Sequence, residues 1–497
     1  MHTASTGAVA LNIRDCGNNV TTQLAHIYAL RPYQSKLKAD AYAALAIHRR
    51  VCVQLPTGGG KSIVIASIVT DAVRASRPVL IMAHRTELIE QLHHKLAEHF
   101  VDAGIIKAGH PRRDRPVQVA SVQTLRSRGE FPSARLLIFD EAHHAIAPTY
   151  RMIADEYPTA KILGFTATPC KPSGGGLGYD VFDAMVCGPT IPELISQGSL
   201  VQPIVYSVPA VGLETIRTTG GDYNQRDLAK WADKSVLYGD LVATYKATAD
   251  GRKCVVFAVS VELSQRYARE YNEAGIRAEH IDGTTPADER AAIFTRFRSG
   301  VTRVLCNVAV ATEGVDIPDC AVVQVARPTK SIPLWLQMVG RGLRPSVGKT
   351  DCIILDHGNA TKACGFPDAT REWSLDATAK RKREQVDMIM IDIDLPDTDR
   401  AQIEHLHMVR LERVIPPDPH TNVHPELRRL MTIVDQNGWK NDKGHPKYAW
   451  ALDAYRKSGA TPTREEVEYI RKKAHYHAGW VDKQMGEARG NWRGVNA

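Results

Sequence analysis

An α/β fold with two tandem parallel-sheet lobes, followed by a small, mainly helical C-terminal unit, is what the 497-residue chain predicts. Three observations carry that prediction. Short β-branched runs recur as "VCVQL", "PVLIMA", "VQVAS", "LLIFD" and "ILGFTA", and again as "CVVFAV", "RVLCNV", "AVVQVA" and "CIILD". Helix-length segments separate most of them, which is the pattern of buried parallel strands whose ligands bind at the strand carboxyl ends. A polar, glycine-containing passage at Ile216–Asp227 divides the two series. The reading gives an N-terminal extension 1–25, a first lobe 26–210, a second lobe 211–376, a basic segment and linker 377–425, and a helical unit 426–497.

The first series opens on "VCVQLPTGGGKSIVIASIV", Val51 to Val69. A strand that ends in a glycine loop and continues as a helix aims backbone N–H groups and the positive helix end at one point, an anion cradle. Pro56, Thr57, Gly58, Gly59 and Gly60 form the loop; Lys61 can reach the β- and γ-phosphates and Ser62 can ligate Mg²⁺. The strict P-loop pattern asks for glycine at position 55, where this chain has leucine. The strand "LLIFD" then ends in acids: Asp140 is the metal ligand, and Glu141 orients and deprotonates the attacking water. Towards the end of the second series, "QMVGRGLRP" offers Arg341 and Arg344 to neutralise charge on the transferred phosphoryl group across a cleft.

Composition narrows the class. Nine cysteines without a CxxC pair indicate reduced thiols, and Cys52, Cys254, Cys306 and Cys352 fall in strand runs as small core hydrophobes. No apolar run approaches a membrane span and the N-terminus carries no secretory pattern, so a cytoplasmic protein with no membrane partner is expected. The formal charge of +8 is compatible with a polyanionic partner and does not identify one. The run "AKRKRE" and the tail's Tyr476, Trp480 and Trp492 among cations suit either a solvated surface or nucleic-acid contacts; Trp439 and Trp450 suit core packing. Four prolines in Val414–Pro425 disfavour continuous helix, and beyond them Leu427, Leu430, Met431 and Val434 follow helical spacing. "HHKLAEH" lacks the partners of a metal site, and no second chemistry is legible.

Taken in order, Leu30 to Asp376 resembles superfamily 2 helicases, the DEAD/DEAH-like motors with two RecA-like lobes. "LRPYQ" looks like the segment beside the adenine, which implies Gln34 as a base contact. "PTGGGKS" and "DEAHH" resemble motifs I and II. "AHRTELIEQ" and "ASVQTL" resemble motifs Ia and Ib, which implies nucleic-acid contacts at Arg85, Thr86, Gln123 and Thr124. "TATP" resembles motif III, which implies coupling through Thr166 and Thr168, with His143 and Gln337. "VVFAVSVELSQ" resembles motif IV, with Ser260 on nucleic acid. "ATEGVDIP" resembles motif V, with Thr312 on nucleic acid and Gly314 and Asp316 on nucleotide; "QMVGRGLRP" resembles motif VI. "PYQ", "GGGKS", "DEAHH" and "GRGLRP" are similar to the DNA-motor branch related to excision-repair and restriction translocases, and "ACGFPDATREWSL" resembles the tail of bacterial and phage helicases of that branch, which implies a bacterial or phage origin. The resemblance implies ATP and Mg²⁺ as cofactors and an ATP-dependent DNA helicase. The alternatives it leaves are a duplex translocase that does not separate strands, an RNA helicase, and an ATP-gated clamp. The C-terminal unit is open as a surface for DNA, for a partner protein or for the motor itself.

Overall fold

The computed structural model describes residues 30–111, 113–171, 174–207, 213–234, 241–308, 310, 317 and 319–378, the strands Met388–Asp392 and Val409–Arg413, and single positions 427, 452 and 467. The chain divides into two compact units, residues 1–386 with 390–411 and residues 387–389 with 412–497. Both lobes lie in the first.

In the first lobe the strands are β1 (Arg50–Gln54), β2 (Val79–Ala83), β3 (Ala103–Ile106), β4 (Val117–Ser121), β5 (Leu136–Asp140), β6 (Lys161–Thr166) and β7 (Ala184–Cys187). They form one sheet in the order β3-β4-β2-β5-β6-β1-β7. All its pairs are parallel. The helices are α1 (Pro32–Ile47), α2 (Lys61–Arg74), α3 (Thr86–Glu98), α4 (Val122–Arg128), α5 (Pro148–Asp155) and α6 (Ile191–Ser196). They cover both faces, so β2 and β5 are buried along their whole length and read as unbroken apolar runs instead of alternating ones. One apolar layer joins α1, α2 and α3 to the sheet through Leu37, Val64, Ile65, Ile68, Leu92 and Leu96. A second lies on the opposite face around Phe139, Tyr150, Ile153 and Phe182.

The second sheet contains β8 (Gln202–Ser207), β9 (Cys254–Ala258), β10 (Ala278–Ile281), β11 (Val304–Asn307), β12 (Val322–Ala326), β13 (Asp351–Asp356), β14 (Met388–Asp392) and β15 (Val409–Arg413). Its order is β10-β11-β9-β12-β13-β8-β15-β14. The pairs from β10 to β8 are parallel, and β15 joins β8 antiparallel. Its helices are α7 (Gln225–Lys234), α8 (Leu241–Ala249), α9 (Val261–Glu273), α10 (Ala287–Ser299), α11 (Ile332–Val339) and α12 (Ala360–Cys364).

All nine strand runs anticipated from the sequence are strands here. The boundary drawn at 210/211 is corrected by β8, which precedes it in the chain yet pairs with β13 in the second sheet. Its pattern "QPIVYS" leaves only Ile204, Val205 and Tyr206 as an apolar run, too short to enter the apolar count. Also unforeseen is the route of the chain after α12. Leu375 packs into the first lobe's apolar layer, and the Gly176 and Gly178 N–H groups donate to the carbonyls of Asp376 (2.7 Å) and Leu375 (2.8 Å). The tail of the second lobe thus straps back onto the first. Cys52, Cys254, Cys306 and Cys352 are fully buried, and burial pushes the Cys352 thiol up to about 12.

In the second unit Leu427, Leu452 and Val467 are helical and fully buried. The linker Val414–Pro425, the basic run at 379–384 and the tryptophans 439, 450, 480 and 492 lie outside the described residues. So does the extension 1–25. No helix among the described residues is long and apolar enough to cross a membrane.

Gly164 on β6 tests the packing of the first lobe. A Cβ there would lie 2.3 Å from Phe182 Cζ and 2.8 Å from Ala142 Cβ. Gly164→Val should therefore lower stability by about 1–3 kcal/mol, read as a shifted urea midpoint at unchanged slope.

Candidate active site

Parallel pairing fixes where the site is. In the order β5-β6-β1 every strand runs the same way, so the chain segments leaving Asp140, Thr166 and Gln54 emerge on one edge. The segment after β1 is the glycine loop. Leu55 N–H donates to the Thr166 carbonyl (3.0 Å) and Gly59 N–H to that of Pro56 (3.0 Å). Gly58 (φ +86°) and Gly60 (φ +84°) then take the left-handed conformation that glycine adopts without strain. α2 starts at Lys61, so the loop's N–H groups and the helix end face the same space.

Two side chains of α1 hold that loop. Tyr33 hydroxyl donates to the Gly59 carbonyl at 2.9 Å, and Gln34 Nε2 donates to the same oxygen at 3.1 Å. Gln34 Oε1 accepts from Arg31 N–H, and the residue is buried. Gln34, expected at the base, thus has its amide engaged with the phosphate loop. Tyr33 was not singled out in the sequence.

The acids follow β5. Asp140 and Glu141 are both buried. Glu141 adopts φ +50°, a conformation that costs a non-glycine residue roughly 1–2 kcal/mol. Its N–H donates to Asp140 Oδ1 (3.1 Å). The left-handed turn brings Glu141 Oε1 to 3.5 Å from Lys61 Nζ and Oε2 to 3.4 Å from His143 Nδ1. His143 Nδ1 also shares a hydrogen bond with Thr166 Oγ1 (3.1 Å), which accepts from Thr168 N–H (3.1 Å). Thr168 Oγ1 is buried and has no hydrogen-bond partner among the described residues. The expected coupling residues His143, Thr166 and Thr168 therefore form one chain with Glu141 and Lys61. Ser62 and Asp140 supply hard oxygen donors on this edge, a donor set that suits Mg²⁺.

From the second lobe, α11 ends at Gly340 and the chain turns through Arg341 to Arg344. A Cβ on Gly340 would lie 2.6 Å from Thr57 Cγ2, and one on Gly58 would lie 2.7 Å from Leu200 Cδ2 and 3.5 Å from Arg344 Cγ. The arginine turn is thus packed on the glycine loop across the lobes, with Arg341 buried. Beside this contact a cavity of about 430 Å³ is lined by Pro56 and Thr57 from one lobe and by Leu336, Val339, Gly340 and Leu343 from the other. Gln337 sits buried on α11 between those residues. α11 itself is anchored by Trp335, whose Nε1–H donates to the Gly365 carbonyl (3.1 Å).

The expected nucleic-acid residues of the first lobe follow β2 and β4, neighbours in the sheet. Arg85 caps α3 and Thr86 begins it; Gln123 and Thr124 form the first turn of α4, where Ser121 Oγ accepts from Thr124 N–H. Between them and the acids stands a cluster not anticipated from the sequence. His144 lies 4.0 Å from His84 and 4.2 Å from His143, ring centre to ring centre. His84, His144, Gln123 and Arg126 line a cavity of about 560 Å³. Ser260, by contrast, caps α9, its hydroxyl accepting from Leu263 N–H (3.3 Å). Thr312, Gly314 and Asp316 lie outside the described residues.

A serine–histidine–aspartate series also occurs: Ser264 Oγ is 2.7 Å from His280 Nδ1, and His280 Nε2 is 3.1 Å from Asp282 Oδ2. Ser264 is fully buried, so no substrate reaches it. Asp282 instead accepts from the N–H groups of Thr284 and Thr285 and orders their loop.

Two α/β lobes, a phosphate loop with its acids and an arginine turn pressed on it from the other lobe define a two-lobed P-loop nucleoside triphosphatase. Residues 27–171 match the family described as type III restriction enzyme, res subunit, and residues 236–346 match the helicase conserved C-terminal domain. A 51.5 kDa protein of a Lactococcus phage is 38% identical over 322 residues, covering 65% of this chain and 68% of the phage protein. The DNA 3'-5' helicase XPB of Mycobacterium tuberculosis is 28% identical over 361 residues, covering 64% of this chain and 58% of XPB. A solved fragment assigned as the HsdR subunit of a Vibrio vulnificus type I restriction enzyme superposes with a TM-score of 0.54 at 21% identity, covering 70% of this chain and 71% of that one. The chain belongs to the superfamily 2 helicases.

The interlobe contact is testable at Gly340. Gly340→Val should force the arginine turn off Thr57 and lower kcat for ATP hydrolysis about tenfold or more, since small misplacements of charge-stabilising groups cost that much. ADP affinity should stay within about twofold in a fluorescent-nucleotide titration, because the first lobe alone cradles the phosphates.

Proposed function

We propose that the chain is a DNA motor that hydrolyses ATP between its lobes and uses the resulting opening and closing to move along or unwind DNA. One observation carries this reading. The nucleotide residues after β1, β5 and β6 share a sheet edge with the candidate nucleic-acid residues after β2 and β4, and the arginine turn of the second lobe packs on the same edge. DNA as the substrate is supported by the similarity to the DNA 3'-5' helicase XPB, and the similarity to a phage protein suits a motor working in the reducing interior of a phage-infected bacterium.

In this mechanism Lys61 and the loop N–H groups hold the β- and γ-phosphates. Ser62 and Asp140 hold Mg²⁺, which supplies charge neutralisation at the phosphates. Glu141 orients the attacking water and takes its proton; the Lys61 and His143 contacts keep the carboxylate aimed. Arg341 and Arg344 meet the charge that develops on the transferred group, so hydrolysis requires the closed lobes. Thr166 and Thr168 link Glu141 to the segment after β6. Release of phosphate removes what the arginines were bound to and lets the lobes part.

Lys61→Ala and Glu141→Gln should each leave less than about a tenth of wild-type turnover in a folded protein, and Arg344→Ala should cost ~10³ in hydrolysis rate with little loss of ATP affinity. Steady-state hydrolysis with single-stranded, duplex and forked DNA and with RNA tests the substrate. Stimulation by DNA is expected; stimulation by RNA alone would overturn the reading.

A further inference from the structure

Lys349 belongs to none of the motifs, yet it fastens the turn that carries both arginines. Its ammonium donates to the carbonyls of Gly342 (2.5 Å), Arg344 (2.8 Å) and Cys320 (2.5 Å). The carbonyl between the first two, that of Leu343, accepts from Val201 N–H at 2.9 Å. Three consecutive carbonyls of the turn are therefore held, one of them by the residue just before β8. Sideways movement is blocked as well, since a Cβ on Gly342 would lie 2.3 Å from Cys352 Sγ and 2.7 Å from Val323 Cγ2.

These three acceptors are backbone carbonyls of the arginine turn and of Cys320, just before β12. The nearby carboxylate of Asp319 is paired with Lys253. A flexible stem ending in a compact charge can collect acceptors from segments that meet at an angle, which a planar guanidinium does less well. A turn so held presents its arginines to the glycine loop in one place, and pre-placement is what a charge-stabilising group needs.

We propose that Lys349 is a positioning residue for ATP hydrolysis: by binding the Gly342, Arg344 and Cys320 carbonyls it holds Arg341 and Arg344 where they meet the transferred phosphoryl group. The proposal rests on the assignment of those arginines to the transition state.

The test is a kinetic cycle on the full chain. Lys349→Met should lower kcat at least about tenfold, while KM for ATP and Kd for ADP stay within about twofold. Lys349→Arg, which keeps charge and donors, should recover part of kcat; if Lys349→Met does not fold, this variant carries the test and should show a lowered kcat at unchanged KM. Added to Arg344→Ala, Lys349→Met should cost less than it does in the wild-type background, since part of its effect passes through Arg344 and only the part through Arg341 remains. The proposal is overturned if Lys349→Met keeps wild-type kcat, if ADP affinity falls as far as kcat, or if the two losses multiply. Wild-type turnover in Arg344→Ala would instead sink the arginine assignment, and the positioning of that arginine with it.

Discussion

The active site depends on a close approach of two backbones that side chains would prevent. The glycine loop after β1 and the turn after α11 meet where Gly340 faces Thr57 and where Gly58 faces Leu200 and Arg344. A methyl group at Gly340 would fall 2.6 Å from Thr57 of the other lobe, and one at Gly58 would fall 3.5 Å from Arg344 Cγ. Because close packing has little give, a cation can be delivered across the cleft only along this line. The second lobe's other fastenings serve that approach. Trp335 holds α11, Lys349 holds the turn, and the Arg371 guanidinium donates to the carbonyls of Cys364, Phe366, Pro367 and Ala369 beyond it.

Within the first lobe, electrostatics and backbone geometry act together on Glu141. A buried carboxylate is costly unless neighbours compensate it. Here Lys61 approaches one oxygen and His143 the other. The positive φ of Glu141 makes this arrangement possible, because it turns the chain abruptly after β5 so that consecutive acids can serve separate purposes. The same turn sends His143 and His144 towards β2, where His84 meets them beside the expected nucleic-acid residues. A continuous run of side chains thus connects the two halves of the sheet edge.

The lobes are also tied together away from the nucleotide. Arg290 of α10 pairs with Glu87 in the first turn of α3, next to Arg85 and Thr86. The strap at Leu375–Asp376 seals the opposite flank, against Gly176 and Gly178. A motor that opens and closes must either break such ties or pivot on them. The strap, with a buried leucine and backbone hydrogen bonds, suits a pivot; the part-exposed ion pair, weak in water, suits a contact that is made and broken.

Local chemistry made much of this molecule legible in the sequence. Apolar runs bounded by helix-length segments identified nine strands, because a strand buried on both faces has no polar alternation to hide it. The glycine loop, its lysine and the acids after "LLIFD" were readable because phosphate binding demands fixed residue types at fixed spacing along one segment. β8 was not readable, since its membership in the second sheet is a matter of which strand it pairs with. Nor were Tyr33, His84 and His144, whose contacts at Gly59 and across β2 and β5 join segments far apart in the chain, nor Lys349, whose turn meets Cys320 only in the fold. The engagement of Gln34 with the loop likewise depends on where the fold puts its partner, 25 residues away, whereas Ser260 caps its own helix locally. Short-range pattern determined which residues gather at the glycine loop and the strand end beside it. Tertiary structure alone decided what holds them there, because a hydrogen bond between distant segments leaves no trace in the spacing of either one.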